Sequence, residues 1–318
     1  MLNRNPAILF SMGLLLIASR VSGAGDVLNI PDGAKPAGLA SAFVAVNGTV
    51  DSFAANPAGL ASITDTQITF MPVWWVADYT CLYAAAAFPV RGLGTIGGSL
   101  KFLNTSFGSF DINGNPGGDL HFESLAATIG LGRSFNGKYL GLSVKYVHDR
   151  FQDFPFESLA FDAGAGTIFR LNERIGLNAG IAVRNIGFNF MKKSEVKAVS
   201  MPMTAAVGAL LDFKPAGDHG LKLMTEVDAS LGLGLKLDLA AEYSFRSTFF
   251  LRGGYGRQFS DAGSFSFGGG FRQSLNKIDK ILGKYLSNLD IEIDYAMIPF
   301  KDQFNQYAHC LSVTFINN

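Results

Sequence analysis

Leu235–Arg246 reads LKLDLAAEYSFR, and its alternation decides how the chain is built. Leu235, Leu237, Leu239, Ala241, Tyr243 and Phe245 are apolar, while Lys236, Asp238, Glu242 and Arg246 fall on the intervening positions. Successive side chains of a strand point to opposite faces. The segment is therefore a strand with one greasy face and one charged face. Leu289–Met297 repeats the pattern, with Leu289, Ile291, Ile293, Tyr295 and Met297 set against Asp290, Glu292 and Asp294. A soluble antiparallel sheet also alternates. What separates the two architectures is how often the pattern recurs and whether anything else in the chain covers the greasy faces.

It recurs along nearly the whole chain. Alternating segments run at about 66–75, 79–90, 94–111, 121–135, 139–151, 158–170, 175–188, 202–213, 220–230, 235–246, 248–259, 264–273, 288–299 and 306–316, the spacing of a transmembrane barrel. Leu140, Leu142, Val144 and Tyr146 form one outward row, Leu125, Ala127, Ile129 and Leu131 another, and Phe265, Phe267 and Phe271 a third. Thr80–Val90 reads equally well with either face outward. Short links such as Arg91–Leu93 and Asn136–Lys138 alternate with longer ones such as Ile112–Leu120 and Asn189–Met201, as periplasmic turns and extracellular loops do. The reading is an all-β chain: an antiparallel transmembrane β-barrel of about fourteen strands over residues 65–318.

Composition agrees. Charged residues make up only 16% of the 318 residues, and Lys+Arg and Asp+Glu are both 26, so no bulk charge points to nucleic acid. Residues 1–24 have the layout of a cleaved signal peptide: Arg4, an apolar stretch from Ala7 to Ala18, then Val21-Ser22-Gly23-Ala24. That stretch is too short to span a bilayer as a helix. An exported chain with no later spanning helix enters a membrane only as a closed barrel, whose backbone groups all pair internally. The expected location is the bacterial outer membrane, with its lipid as the first partner.

Residues 25–64 lack the two-residue period and are rich in Gly, Ala and Pro. They are expected to fold inside the barrel as a hatch. Residues 273–287 carry Leu275, Ile278, Leu282, Tyr285 and Leu286 at helical spacing and are expected to form a short periplasmic helix. Lumen-facing charges are expected at Lys101, Lys145, Asp162, Arg184, Lys222, Glu226, Lys236, Asp238, Glu242, Arg252, Arg272, Asp290, Glu292 and Asp294. Cys81 and Cys310 fall in an early and the last strand; two buried free thiols are favoured over a disulfide.

Motifs for chemistry are weak. Gly92–Gly97 spells GxGxxG, but a strand follows it where a dinucleotide site needs a helix. Asp111, Asn113 and Asn115 begin like a calcium loop, yet Pro116 stands where glycine is required and Phe122 where glutamate is. The four histidines show no ligand spacing. No nucleophile elbow or triad order is present. Neither a metal, a cofactor nor an enzymatic activity is expected.

Gly33-Ala34-Lys35-Pro36-Ala37-Gly38, then Ser41–Val46, then Asn56-Pro57-Ala58-Gly59-Leu60 resemble the N-terminal hatch of FadL-type outer-membrane proteins, most closely the PorV/PorQ branch. Asp294–Phe300 and His309–Phe315 resemble that branch's ending. The resemblance implies a plugged barrel, with Gly33, Pro36, Gly38, Asn56, Pro57 and Gly59 shaping the hatch. It implies a transport component associated with type IX secretion, whose partners are a secreted protein cargo or the secretion machinery. The alternative is a FadL-like passive channel for long-chain fatty acids or other hydrophobic small-molecule ligands. Such channels open laterally at a kinked third strand, and Gly97-Gly98 would permit that kink; the plainer account is that these glycines relieve crowding.

Overall fold

A computed structural model describes residues 26–74, 79–111, 113–189, 201, 203–215, 217–231, 234–258, 263–275, 288–300 and 306–317. The expected signal peptide lies outside them. So does most of the expected helix at 273–287; its first two residues, Gln273 and Ser274, end a strand instead.

Fourteen antiparallel strands close on themselves. They are β1 (Thr66–Trp74), β2 (Thr80–Val90), β3 (Gly94–Phe110), β4 (Pro116–Phe135), β5 (Lys138–Phe151), β6 (Phe154–Arg170), β7 (Ile175–Asn189), β8 (Thr204–Phe213), β9 (His219–Ser230), β10 (Gly234–Phe245), β11 (Phe249–Gln258), β12 (Ser264–Ser274), β13 (Leu289–Phe300) and β14 (Gln306–Asn317). Every strand pairs with its sequence neighbours, and β1 pairs β14 from Thr66↔Asn317 to Trp74↔His309. No edge is left unpaired, which is the condition for a sheet to sit in lipid.

The outward rows fall as the alternation demands. Leu142 and Leu251 are each 66% exposed and Ile129 is 58% exposed, while Asp238, Glu242, Glu292 and Asp294 are buried within the ring. Exposed apolar side chains on every strand have no soluble explanation. Among the described residues no helix is long and apolar enough to cross a membrane; an outward apolar face on every strand is the pattern of a transmembrane barrel. Aromatic pairs such as Tyr295–His309 and Phe249–Phe271 sit among these outward side chains. The ambiguous β2 turns Leu82 and Phe88 out and Cys81, Tyr83, Ala85 and Ala87 in.

The strands are uneven in length. β8 and β11 have 10 residues each, close to what a tilted span requires. β3, β4 and β6 have 17, 20 and 17 and rise beyond the band. Hence β4 begins at Pro116 and β6 at Phe154, earlier than the alternation alone indicates.

Both cysteines are free and buried. Val73 of β1 is opposite Cys310 on one side and Cys81 on the other. The thiols are thus two strands apart, about 9–10 Å at normal strand spacing. A disulfide needs Cα atoms within about 7 Å.

Candidate functional site: a plugged lumen

Residues 26–63 fill part of the lumen with a short helix α1 (Ala34–Gly38) and single turns at Asp26–Asn29, Val50–Ser52 and Pro57–Ser62. So little regular structure leaves many backbone groups for the wall and for local side chains to satisfy. Asn56 caps the last turn. Its Oδ1 accepts from the Ala58 amide at 3.0 Å, and its Nδ2 donates to the Val44 carbonyl at 2.8 Å and to Ala165 of β6 at 3.2 Å. Pro57 follows at the first helical position, where its missing N–H costs nothing. Gly33 has φ 125°, and a side chain there would also meet the Asp51 carboxylate. Gly59 lies against the Ser52 side chain, and Gly38 against Gly268 of β12. Ala34, Pro36, Ala37 and Gly38 of α1 are all buried.

The wall is hollowed to receive this segment. Going round the ring, Gly97 faces Leu60, Gly132 faces Leu60 and Ala61, and Gly141 faces Pro57 and Ala58. Gly164 faces Asn56, Gly180 faces Val44 and Ala45, Gly208 faces Val44, and Gly254 faces Leu39 and Ala40. A Cβ at any of these positions would overlap the hatch. Gly97 therefore serves as clearance. The β3 ladder runs without a register break through Gly97-Gly98 to both β2 and β4; its one shift lies at Ser109/Phe110. The pairing is continuous there, and the contact of Gly97 with Leu60 fits the crowding account of that glycine.

Charge holds the hatch as well as shape. Lys35 on α1 places its ammonium 3.1 Å from Glu292, 3.6 Å from Asp51 and 3.9 Å from Asp294. Burial works against that charge, but Glu292, Asp294 and Asp51 outweigh it and hold the Lys35 pKa above the ordinary lysine range. The Asp51 carboxyl is also pushed up, chiefly by burial, because one ammonium is shared among three carboxylates and compensates it only in part. Arg252 of β11 extends the network, at 2.6 Å from Glu242, 2.5 Å from Asp294 and 3.7 Å from Glu292. To reach Asp294 on β13 it passes over β12 at Gly270, where any side chain would strike both groups. Lys222 closes the far side on Glu242 at 3.0 Å. Further along the same face of β9 from Lys222, Glu226 accepts the Phe43 and Val44 amides at 2.7 Å each.

The remaining lumen charges pair in turn. Lys101 donates to the Val27 and Ile30 carbonyls at 3.2 and 2.7 Å and lies 2.7 Å from Asp32. Lys236 pairs with Asp238 at 2.8 Å, and Arg272 with Asp290 at 2.8 Å. Arg184 pairs with Asp228 at 2.8 Å and donates to the Ala55 carbonyl at 3.1 Å. A bulge sets the next group: Arg184 and Asn185 together oppose Asp162, with Asn185 at φ 58°. Asp162 accepts from the Asn185 amide at 2.7 Å and from Ser143 Oγ at 2.8 Å, while Lys145 lies 3.3 Å from Asp162 and donates to Asn185 Oδ1 at 2.6 Å. The fourteen side chains expected in the lumen lie on the strand faces opposite the exposed apolar rows. The bulge and the span of Arg252 across β12 have no sequence signal beyond the glycines themselves.

Between hatch and wall lies a cavity of about 420 Å³. Leu28, Ile30, Pro31, Pro36 and Phe43 of the hatch form an apolar floor, and Lys101, Lys145, Asp162 and Arg184 contribute to the wall. Its lining also includes Thr204, Ser230 and Gly234, at the start of β8, the end of β9 and the start of β10.

Above the lumen, polarity inverts. On β3–β6 the lumen-side face carries Phe107 paired with Leu120, and Phe122 paired with Phe151, which in turn pairs with Phe154. The other face carries His121, an Arg150–Glu123 ion pair at 2.6 Å, and His148 beside Glu157 at 3.8 Å. The outer apolar band thus ends between Leu125 and Glu123. An aromatic surface begins on the inside, with Phe154 62% exposed.

No protein-family model matches the chain, and no curated protein matches it in sequence. Its fold does have solved relatives. The toluene transporter TodX of Pseudomonas putida aligns over 90% of this chain and 98% of its own at 11% identity, with a TM-score of 0.55. The monoaromatic hydrocarbon channel CymD aligns over 91% and 97% at 9% identity, with a TM-score of 0.53. A FadL homologue from Pseudomonas aeruginosa is also similar, at 10% identity over 91% and 98%, with a TM-score of 0.49. At these identities the likeness concerns the fold: a closed fourteen-stranded barrel built as TodX and CymD are built.

Proposed function

We propose that the chain is an exported outer-membrane channel that admits small, mainly apolar molecules, and that it carries out transport without catalysis. The observation that carries this reading is the polarity inversion on β3–β6. Phe107, Phe122, Phe151 and Phe154 present an aromatic face above a lumen that contains a cavity, and their strands carry charge outward at the same height. An apolar solute leaving water meets that face before the cavity, and burial there is worth roughly 25 cal/mol per Å² of its surface. Two structural relatives, a toluene transporter and a monoaromatic hydrocarbon channel, support the same class of cargo. The PorV/PorQ secretion role rests on the two terminal resemblances alone, and the fold comparisons favour the small-molecule alternative. The test is uptake of labelled toluene by cells whose outer membrane carries this protein as its sole added channel. Phe151→Ser with Phe154→Ser should lower uptake several-fold while the barrel still folds. Unchanged uptake in that variant, or no uptake above empty cells, would sink the reading.

A further inference from the structure

Resting on the channel reading, we infer that the lumen cavity selects neutral molecules that join an apolar body to a hydrogen-bonding group, such as aromatic or short-chain alcohols, over both bare hydrocarbons and carboxylate anions. The argument begins with charge balance. Four cations line the cavity, and each is already matched: Lys101 with Asp32 at 2.7 Å, Lys145 with Asp162 at 3.3 Å, Arg184 with Asp228 at 2.8 Å and Lys236 with Asp238 at 2.8 Å. A fifth carboxylate, Asp51, faces Lys35 at 3.6 Å. An entering carboxylate finds no spare cation. It would have to break a buried pair, and the stranded partner makes that expensive.

A bare hydrocarbon binds less tightly for the opposite reason. The hatch floor suits it, through Ile30, Pro31 and Phe43, but it would also cover wall groups that water otherwise solvates. Burying polar groups without replacing their hydrogen bonds costs free energy. A neutral hydroxyl avoids both costs. Ser41, Ser99 and Thr128 line the same cavity as both donors and acceptors. One molecule can lay its apolar part on the hatch and its hydroxyl on the wall without disturbing any ion pair.

The test uses the full-length protein in nanodiscs and three probes of one skeleton: 4-fluorotoluene, 4-fluorobenzyl alcohol and 4-fluorobenzoate. Fluorine NMR, referenced to empty nanodiscs, reads saturable binding. The alcohol should bind about tenfold more tightly than either other probe, the scale on which a hydrogen-bonding site separates near-isosteres. Thr128→Trp, which fills the cavity, should abolish that binding. Asp228→Asn, which removes the closest carboxylate from Arg184, should move the preference toward the benzoate. Tightest binding of fluorotoluene or of fluorobenzoate to the unaltered protein overturns the inference and leaves the channel reading standing. Binding that survives Thr128→Trp overturns it too, because the site is then elsewhere. If none of the three binds saturably, the inference falls, and toluene uptake decides the channel reading separately.

Discussion

The ammonium of Lys35 lies 3.1 Å from the carboxylate of Glu292, so the hatch and the penultimate strand share a buried charge pair. Lys35 is the hatch's cation among three carboxylates. Lys35→Met should cost roughly 3–5 kcal/mol, the usual penalty for breaking a buried pair from one side. Thermal unfolding in detergent measures the loss, and single-channel recording should show a raised open probability. Glu292→Gln in the same protein should recover part of both.

Two glycines on different sides of the wall should respond differently to a methyl group. Gly141→Ala drives its Cβ into the Pro57–Ala58 backbone, which has no flexible end to give way, so a loss of about 1–3 kcal/mol is expected. Gly98→Ala meets nothing closer than the Thr128 carbonyl at 3.8 Å and should be close to neutral. A marked loss of uptake in Gly98→Ala with stability intact would favour the kinked-strand opening over the crowding account.

Glu226 offers a second handle on the hatch. Glu226→Ala strands the Phe43 and Val44 amides, each worth about 1–3 kcal/mol when left unsatisfied in a buried place. Glu226→Gln keeps an acceptor and should lose distinctly less. Equal losses in the two variants, read from the melting midpoint, would mean that the amide contacts contribute little.

At the β3–β4 hairpin the pH response has a fixed sign. Asp111 accepts from Asn115 Nδ2 at 2.9 Å and from the Asn115 and Asn113 amides at 2.9 and 2.8 Å. These bonds, the Asn115 side chain foremost, lower its pKa below the ordinary aspartate value. A depressed carboxylate contributes stability that is present above the unfolded pKa, near 3.8, and is lost as pH falls through the lower folded value. Amide exchange at Asn113 and Asn115 should therefore be slow at pH 7 and speed up, beyond its intrinsic trend, only in that acid range. Asp111→Ala should remove the protection at every pH.

Oxidation should not join the cysteines. Because β1 separates Cys81 from Cys310, a copper–phenanthroline treatment of the folded protein should leave both thiols free by mass after denaturation.

The strands and their faces were legible because a two-residue period survives any tertiary context. Leu235–Arg246 and Leu289–Met297 said which residues meet lipid, and the barrel closure followed. The charges of the lumen were legible for the same reason. Their partners were not. Alternation states the side on which Arg252 lies, but only the ring's curvature and the bare backbone of Gly270 bring it to Asp294. The same limit applied to Cys81 and Cys310, whose strands are near but separated by Val73. The aromatic inner face shows in the sequence only as a change of phase: Leu120 and Phe122 are apolar on even positions, Leu125, Ala127 and Ile129 on odd ones, while the strand pairing runs on unbroken.

The hatch leads the barrel in the chain, yet part of what grips it comes late. Lys35 waits for Glu292 and Asp294, Val44 for Glu226, and β1 itself for β14. During biogenesis the early strands can engage part of the leading segment, through Lys101 and Ala165, but Lys35 meets its wall carboxylates only with β13 and the ring closes only with β14. Pairings this distant in sequence form slowly, and a chain cut short before β13 would leave an unclosed ribbon in which Lys35 faces no carboxylate of the wall.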